Sequence, residues 1–269
     1  MPVGACSGIR QAIGRRGFNL PGAITCFAVL AVWEVAVRGG AVTFDYLPAP
    51  SAIAVALARL VLSGQMFADT VHTLSSALIG WSAACLLGIG LGLLLGISSG
   101  ARTYGMATVE VLRPMPGIAF LPLAVLLFNF SLQTELVVIV YPSLWPVAMN
   151  TMGSVMDVGA RLHDVGRTLR LSRWRILAKI LAPAAAPMIL AGCRVSMGTA
   201  LVMAVIAEMI GNPHGLGYAI VREELAFQPA DMFAYIIVVG VLGIALNAAL
   251  VALSRRAMPG HFGRGSDRG

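Results

Sequence analysis

Charge is what this sequence has least of. Only 12% of its 269 residues are Asp, Glu, Lys or Arg, against roughly 25% in a soluble domain that must cover its surface. A water-facing fold of this length is therefore excluded. Cysteine is sparse too: Cys6, Cys26, Cys85 and Cys193 have no metal-like spacing, and three of them sit in apolar runs as small hydrophobes. His72, His163, His214 and His261 are scattered without metal-ligand spacing, so the expectation is no metal and no enzyme. A GxxxxGK[ST] phosphate loop is missing, which rules out ATP binding of that kind on this chain. The net charge of +7 is spread over tails and loops, with no aromatic-interleaved basic stripe, and does not read as a nucleic-acid surface.

What is present is apolar surface. Hydrophobic residues make up 58% of the chain and the mean hydropathy is +0.85, the composition of an integral membrane protein. Crossing about 30 Å of hydrocarbon takes roughly 20 residues of helix. The first candidate span is Leu20 to Val37, after Arg10, Arg15 and Arg16. A signal peptide has a similar layout, but Trp33, Glu34 and the missing small-x-small site favour a retained span. Leu47 to Gly64 is too short to cross. Ser51 after Pro50 is placed to cap a helix there, with Ile53, Leu57, Leu60 and Val61 on one face, so an interfacial helix is expected.

The second span is expected over Thr73–Ile97, where Ala84, Gly88, Gly92 and Gly96 recur every fourth residue as a packing face. That face suits packing within one chain or between two. The third span, Tyr104–Phe130, carries Arg113-Pro114-Met115-Pro116 and Pro122, whose freed carbonyls need protein or water partners. Glu110 and Arg113 are spaced to pair on one helix face. The fourth span is Glu135–Met152, the fifth Ala184–Glu208 and the sixth Phe233–Leu253. An all-α bundle of six transmembrane helices follows. Both termini then share one side, and placing them in the cytoplasm puts fourteen positive charges inside and three, Arg38, Arg59 and Arg222, outside.

The densest basic cluster is an island from Asp157 to Ala182, which ends at Pro183 and holds Arg161, Arg167, Arg170, Arg173, Arg175 and Lys179. Its second half offers Trp174, Ile176, Leu177 and Ile180 as apolar anchors for a groove on another protein. Binding of anionic lipid headgroups is the plainer use of such a cluster, though it has no need of Trp174.

Asp164-Val165-Gly166-Arg167-Thr168-Leu169, then Ser172-Arg173-Trp174-Arg175 and Ala182-Pro183, resembles the EAA coupling loop of bacterial ABC importer permeases. Four further landmarks resemble the nitrate, sulfonate, taurine and bicarbonate branch, in order. They are Leu47-Pro48-Ala49-Pro50-Ser51, Leu112-Arg113-Pro114-Met115-Pro116, Ala207-Glu208-Met209-Ile210-Gly211 and Gly215-Leu216-Gly217-Tyr218. The resemblance implies a permease domain over residues 20–255, a coupling loop at about 157–183, and cytoplasmic tails at 1–19 and 256–269. It further implies a bacterial inner-membrane location, a second permease copy, two ATPase subunits that bind ATP and Mg, and an external solute-binding protein. No cofactor is expected on this chain itself. Two departures stand out: Asp164-Val165-Gly166 replaces Glu-Ala-Ala, and Arg170 stands where the family bends at a glycine, at a cost of about 1 kcal/mol.

The expected coupling residues are Asp164, Gly166, Arg167, Thr168, Arg170, Ser172, Arg173, Trp174, Arg175 and Pro183. Arg113, Met115, Arg194 and Glu208 are candidates for the pathway or a gate. For Arg194, snorkelling or a structural pair is the expected role, and for Glu208 a structural gate contact. The implied solute is a small anion such as a sulfonate or nitrate. Competing classes are an ion-driven carrier, which would favour repeated halves that are not seen, and a membrane scaffold.

Overall fold

The computed structural model describes residues 20–40, 44, 46–168 and 182–257. Among these, every regular element is helical: α1 (Leu20–Arg38), α2 (Pro50–Ser63), α3 (Gln65–Ile97), α4 (Ser99–Leu112), a 3₁₀ turn (Gly117–Phe120), α5 (Leu121–Phe128), α6 (Leu132–Thr168), α7 (Ala182–Gly211), α8 (Leu216–Leu225) and α9 (Pro229–Ala257). Five helices (α1, α3, α6, α7 and α9) are long and apolar enough to cross a membrane. The pair α4 and α5, bent by 83°, makes a sixth span if it is counted as one.

The bend lies at the prolines expected to interrupt the third span. Pro114 and Pro116 supply no N–H to continue a helical ladder, so α4 stops at Leu112 and the chain turns through the 3₁₀ segment before α5. Leu112 O, which loses Pro116 as a donor, accepts instead from Met115 N–H at 3.0 Å and from the Tyr141 hydroxyl. Gly117 lies so close to Pro142 of α6 that a Cβ there would sit 2.9 Å from the proline ring.

The centre is the parallel pair α3 and α6, the most extensive helix contact in the fold. Ala84 is fully buried. A Cβ on Gly88 would come 2.8 Å from Leu144 O and Val147, one on Gly92 2.5 Å from Thr151, and one on Gly96 2.7 Å from Val155. Close backbone approach in lipid depends on such small residues. The every-fourth-residue face thus packs within the chain, against α6. Helix α7 runs antiparallel over both, with Ser196 donating to Ser143 O at 2.6 Å and Trp81 of α3 donating to Cys193 O at 2.8 Å.

Helix α2 packs its Ile53, Ala56 and Leu60 against α8 and α9. Ile53, Leu57 and Leu60 lie on the expected face, while Val61 points outward at 59% exposure. Ser51 is not the cap. Ala49 holds that place in an extended conformation with Pro50 in the first turn. The Ser51 N–H and hydroxyl instead donate to the Glu34 carboxylate of α1 at 3.0 and 2.7 Å, so an anion from another helix serves the N-terminus of α2. Helix α1 has no buried residue and touches the rest through this contact and Trp33 against Phe233.

The fourth span is longer than expected. Helix α6 continues without interruption through the first half of the basic island to Thr168. Asp164, Gly166, Arg167 and Thr168 therefore belong to its last turns, while Arg170, Ser172, Arg173, Trp174 and Arg175 lie outside the described residues. Pro183 lies in the first turn of α7, exposed.

Candidate functional site

The two ends of the bundle differ in polarity. At one end lie the close of α3 with Arg102, the end of α6, the start of α7, and the last turn of α9 with Arg255 and Arg256. At the other end each of the three cations has a carboxylate partner. Arg38 pairs with Glu34 at 2.5 Å, Arg59 with Asp231 at 2.5 Å, and Arg222 with Glu223 at 2.8 Å.

That second end also holds a buried polar cluster. Helix α7 ends at Gly211, and α8 begins five residues later after Gly215, whose φ of +95° favours glycine. A Cβ on Gly215 would run into the Glu208 carboxyl, and one on Gly217 into Val205 O. The first N–H groups of α8 have no intrahelical acceptor, and Gly215 carries no side chain to cap them. Other helices do so instead. Leu216 N–H donates to Thr73 Oγ1 at 2.8 Å, and Gly217 N–H donates to Glu208 Oε2 at 2.9 Å. Thr73 in turn donates to the same Oε2 at 2.8 Å. A carboxylate at a helix N-terminus is well placed electrostatically. Two of the sequence landmarks, around Glu208 and around Gly217, are therefore one physical unit.

Beside this lock, Glu135 from the first turn of α6 and His72 from α3 approach each other, with His72 Nε2 3.2 Å from Glu135 Oε1. Asn212, just past the end of α7, contacts both through its amide. Glu135 and Glu208 are 1% and 0% exposed. Ligating atoms of His72, Glu135 and Glu208 all lie within 4.8 Å of one another.

The remaining candidates are placed as follows. Arg194 is on the exposed side of α7, where its Nε donates to Asn247 Oδ1 of α9 at 2.8 Å, at the rim of a hollow lined by Met197, Leu201, Gly243 and Leu246. Arg113 and Met115 are exposed at the break after α4. Among the described residues no ion pair joins Glu110 to Arg113, which corrects the expected pairing. Glu208, Arg194 and the Arg113–Met115 segment do not meet in one pocket.

Residues 88–259 match the family described as binding-protein-dependent transport system inner membrane component. The chain belongs to that family. It is 30% identical over 259 residues to the putative aliphatic sulfonates transport permease of Bacillus subtilis, covering 96% of this chain and 94% of the relative. It is 28% identical over 250 residues to the nitrate import permease of Leptolyngbya laminosa, covering 90% of this chain and 88% of the relative. The helical arrangement resembles a chain of the MetNI methionine ABC transporter solved in inward-facing conformations, with a TM-score of 0.65 at 16% identity, over 72% of this chain and 97% of that one. Family membership makes the chain an integral, multi-pass inner-membrane transport component and not an enzyme, in the branch to which the ordered landmarks pointed.

Sequence reasoning singled out Glu208 and missed its company. Thr73 lies 135 positions from Glu208, and His72 and Glu135 lie 140 and 77 positions from Asn212, beyond the reach of any local motif, although Asn212 itself is one turn from Glu208. The available signal was indirect: polar residues at the ends of three apolar spans that had to share one end of the bundle.

Proposed function

We propose that this chain is the permease subunit of an ATP-binding cassette importer. It forms the translocation pathway for a small anion of the sulfonate or nitrate kind, delivered by an external binding protein. Two copies assemble with two ATPase subunits, which carry the ATP and Mg, and this chain binds no cofactor for the transport cycle. Both termini and the island face the cytoplasm. The observation that carries the reading is the island itself. It holds six of the 19 Lys and Arg residues, it follows a helix that runs well past the bilayer, and its first half lies at the end that collects the basic flanks. Pairing of all three cations at the opposite end with carboxylates supports the same orientation.

In this mechanism nucleotide-driven closure of the ATPase subunits draws the islands of two permeases together and rocks the helix bundle between inward- and outward-open forms. Trp174 and its apolar neighbours fill the ATPase groove, and Arg173, Arg175 and Lys179 pair with acids at its rim. The deciding experiment is purification of the chain from native membranes in mild detergent, with identification of what accompanies it, followed by solute uptake in vesicles. An ATPase subunit in the complex, and uptake that stops when its nucleotide site is disabled, are expected. Uptake that survives that change but collapses with an ion gradient would replace the importer by a carrier.

A further inference from the structure

We propose that His72, Glu135, Glu208 and Asn212 form a binding site for a divalent transition-metal ion of the zinc class, which ties together the ends of α3, α6 and α7. The proposal goes beyond solute import and does not depend on which solute is carried.

The first argument is that three groups able to ligate a cation converge on one point. His72 Nε2 has Glu135 Oε1 and Asn212 Nδ2 each at 3.2 Å. Protonated, Nε2 and the Asn212 amide both donate to Glu135 Oε1, which draws the two nitrogens to 3.2 Å of each other. Bare, Nε2 satisfies the amide and sets its lone pair against that of Glu135. Turning the Asn212 amide over repairs the histidine contact but brings Oδ1 against Glu135 Oε1, since those two groups are also in contact. A cation between them converts all three into ligands: Nε2, Oε1 and the amide oxygen.

The second argument is an unmet demand for positive charge. Glu208 Oε2 already accepts from Thr73 and Gly217, but Oε1 has no partner, and neither does Glu135 Oε2. Both side chains are almost wholly buried, where an unpaired carboxylate is strongly disfavoured. The arginines at this end are already engaged with Asp231, Glu223 and Glu34. Glu208 Oε1 is thus free to complete the ligand set.

The His72–Glu135 spacing and the donor types fit, with a Glu208 oxygen within 4.8 Å of both. Zinc–ligand bonds of about 2.0–2.1 Å place tetrahedral ligand atoms roughly 3.3 Å apart, close to the 3.2 Å between His72 and Glu135. One imidazole with oxygen donors is a borderline set that suits zinc and its neighbours better than magnesium or calcium. His72, at 27% side-chain exposure, offers a route in.

The test uses the full, tag-free chain in nanodiscs, stripped with a chelator and then given zinc alone. One zinc per chain should survive desalting, and the melting temperature should rise by roughly 5 °C. His72→Asn should weaken zinc binding by at least ~10-fold, while Glu110→Gln, remote and exposed, should bind like wild type. With cobalt in place of zinc, wild type should show a paramagnetically shifted imidazole resonance, so the site is testable even if the His72 variant does not fold. Zinc retention equal in wild type and His72→Asn would mean adventitious binding at exposed carboxylates and overturn the proposal. So would wild type without retained zinc, or cobalt protein without the imidazole signal. Binding by the isolated chain needs neither ATPase nor solute, so failure here leaves the import reading intact.

Discussion

Two glycines on α3, two residues apart, should respond in opposite ways to the same substitution. Gly92 faces α6, where an added methyl would lie 2.5 Å from Thr151 Cβ and 2.6 Å from Ala148 O. One obstacle is backbone and the other a branched Cβ, so neither can swing aside and the helices must part. Overpacking of this kind costs typically 1–3 kcal/mol, and the loss of contact along the neighbouring Gly88 and Gly96 adds to it. Gly90, on the opposite face, has nothing within 4 Å of its would-be Cβ, and alanine there gains up to about 1 kcal/mol of helix propensity. The two variants should thus differ by ~2–4 kcal/mol, or roughly 5–10 °C in melting temperature for a chain of this size. Thermal unfolding of Gly92→Ala and Gly90→Ala, in the same detergent, reads the difference directly. If Gly92→Ala melts at or above Gly90→Ala, α3 and α6 are not held by close backbone approach, and the core of the fold described above is wrong.

Three further expectations follow from the same geometry. Gly215→Ala combines a φ of +95° with collision against the Glu208 carboxyl, so it should destabilise by at least ~2 kcal/mol and lower uptake, whereas Gly240→Ala, with open space around it, should be near neutral in the same melts. Tyr141→Phe removes one of the two donors to Leu112 O at the break between α4 and α5, Met115 N–H remaining, and should cost ~0.5–1.5 kcal/mol, with α4–α5 amides exchanging faster in hydrogen-exchange measurements and those of α3 unchanged. Trp174→Ala and Arg175→Glu should each reduce co-purification with the ATPase and lower transport, without changing the melting temperature of the isolated chain; normal uptake with normal complex yield in both would remove the island from the coupling mechanism.

Span positions were legible because lipid imposes a single requirement, about 20 apolar residues, that survives in composition alone. The glycine period in α3 was legible for a similar reason, although its partner was not: Val147, Thr151 and Val155 look like ordinary apolar-span residues until α6 is laid alongside. The bend after Leu112 was half visible. The prolines announced stranded carbonyls, but not that Tyr141 would answer one of them and turn the chain by 83°. Ser51 was misread as the cap, which falls two residues earlier at Ala49, because its partner, Glu34, comes from a different helix. Helix α8 went unread as a helix, since it is short, begins after a strained glycine, and borrows its caps from Thr73 and Glu208. Of the polar cluster only Glu208 stood out, because a carboxylate inside an apolar run is conspicuous alone and a histidine at a span end is not.

The length of α6 has a mechanical consequence. Its 37 residues span about 55 Å, nearly twice the hydrocarbon thickness, so the helix is both a transmembrane element and a lever arm. The stretch that meets the glycines of α3 is clamped along its side and cannot flex independently. A torque applied near Thr168 therefore passes through the membrane as rotation of a stiff rod. Compliance is concentrated where the rod lacks a backbone donor beyond that clamp, at Pro142, two turns from Glu135. The far tip, with Glu135 anchored among His72 and Asn212, can then stay fixed while the shaft swings. Work delivered at one face of the bilayer would arrive at the other as bending at a defined elbow.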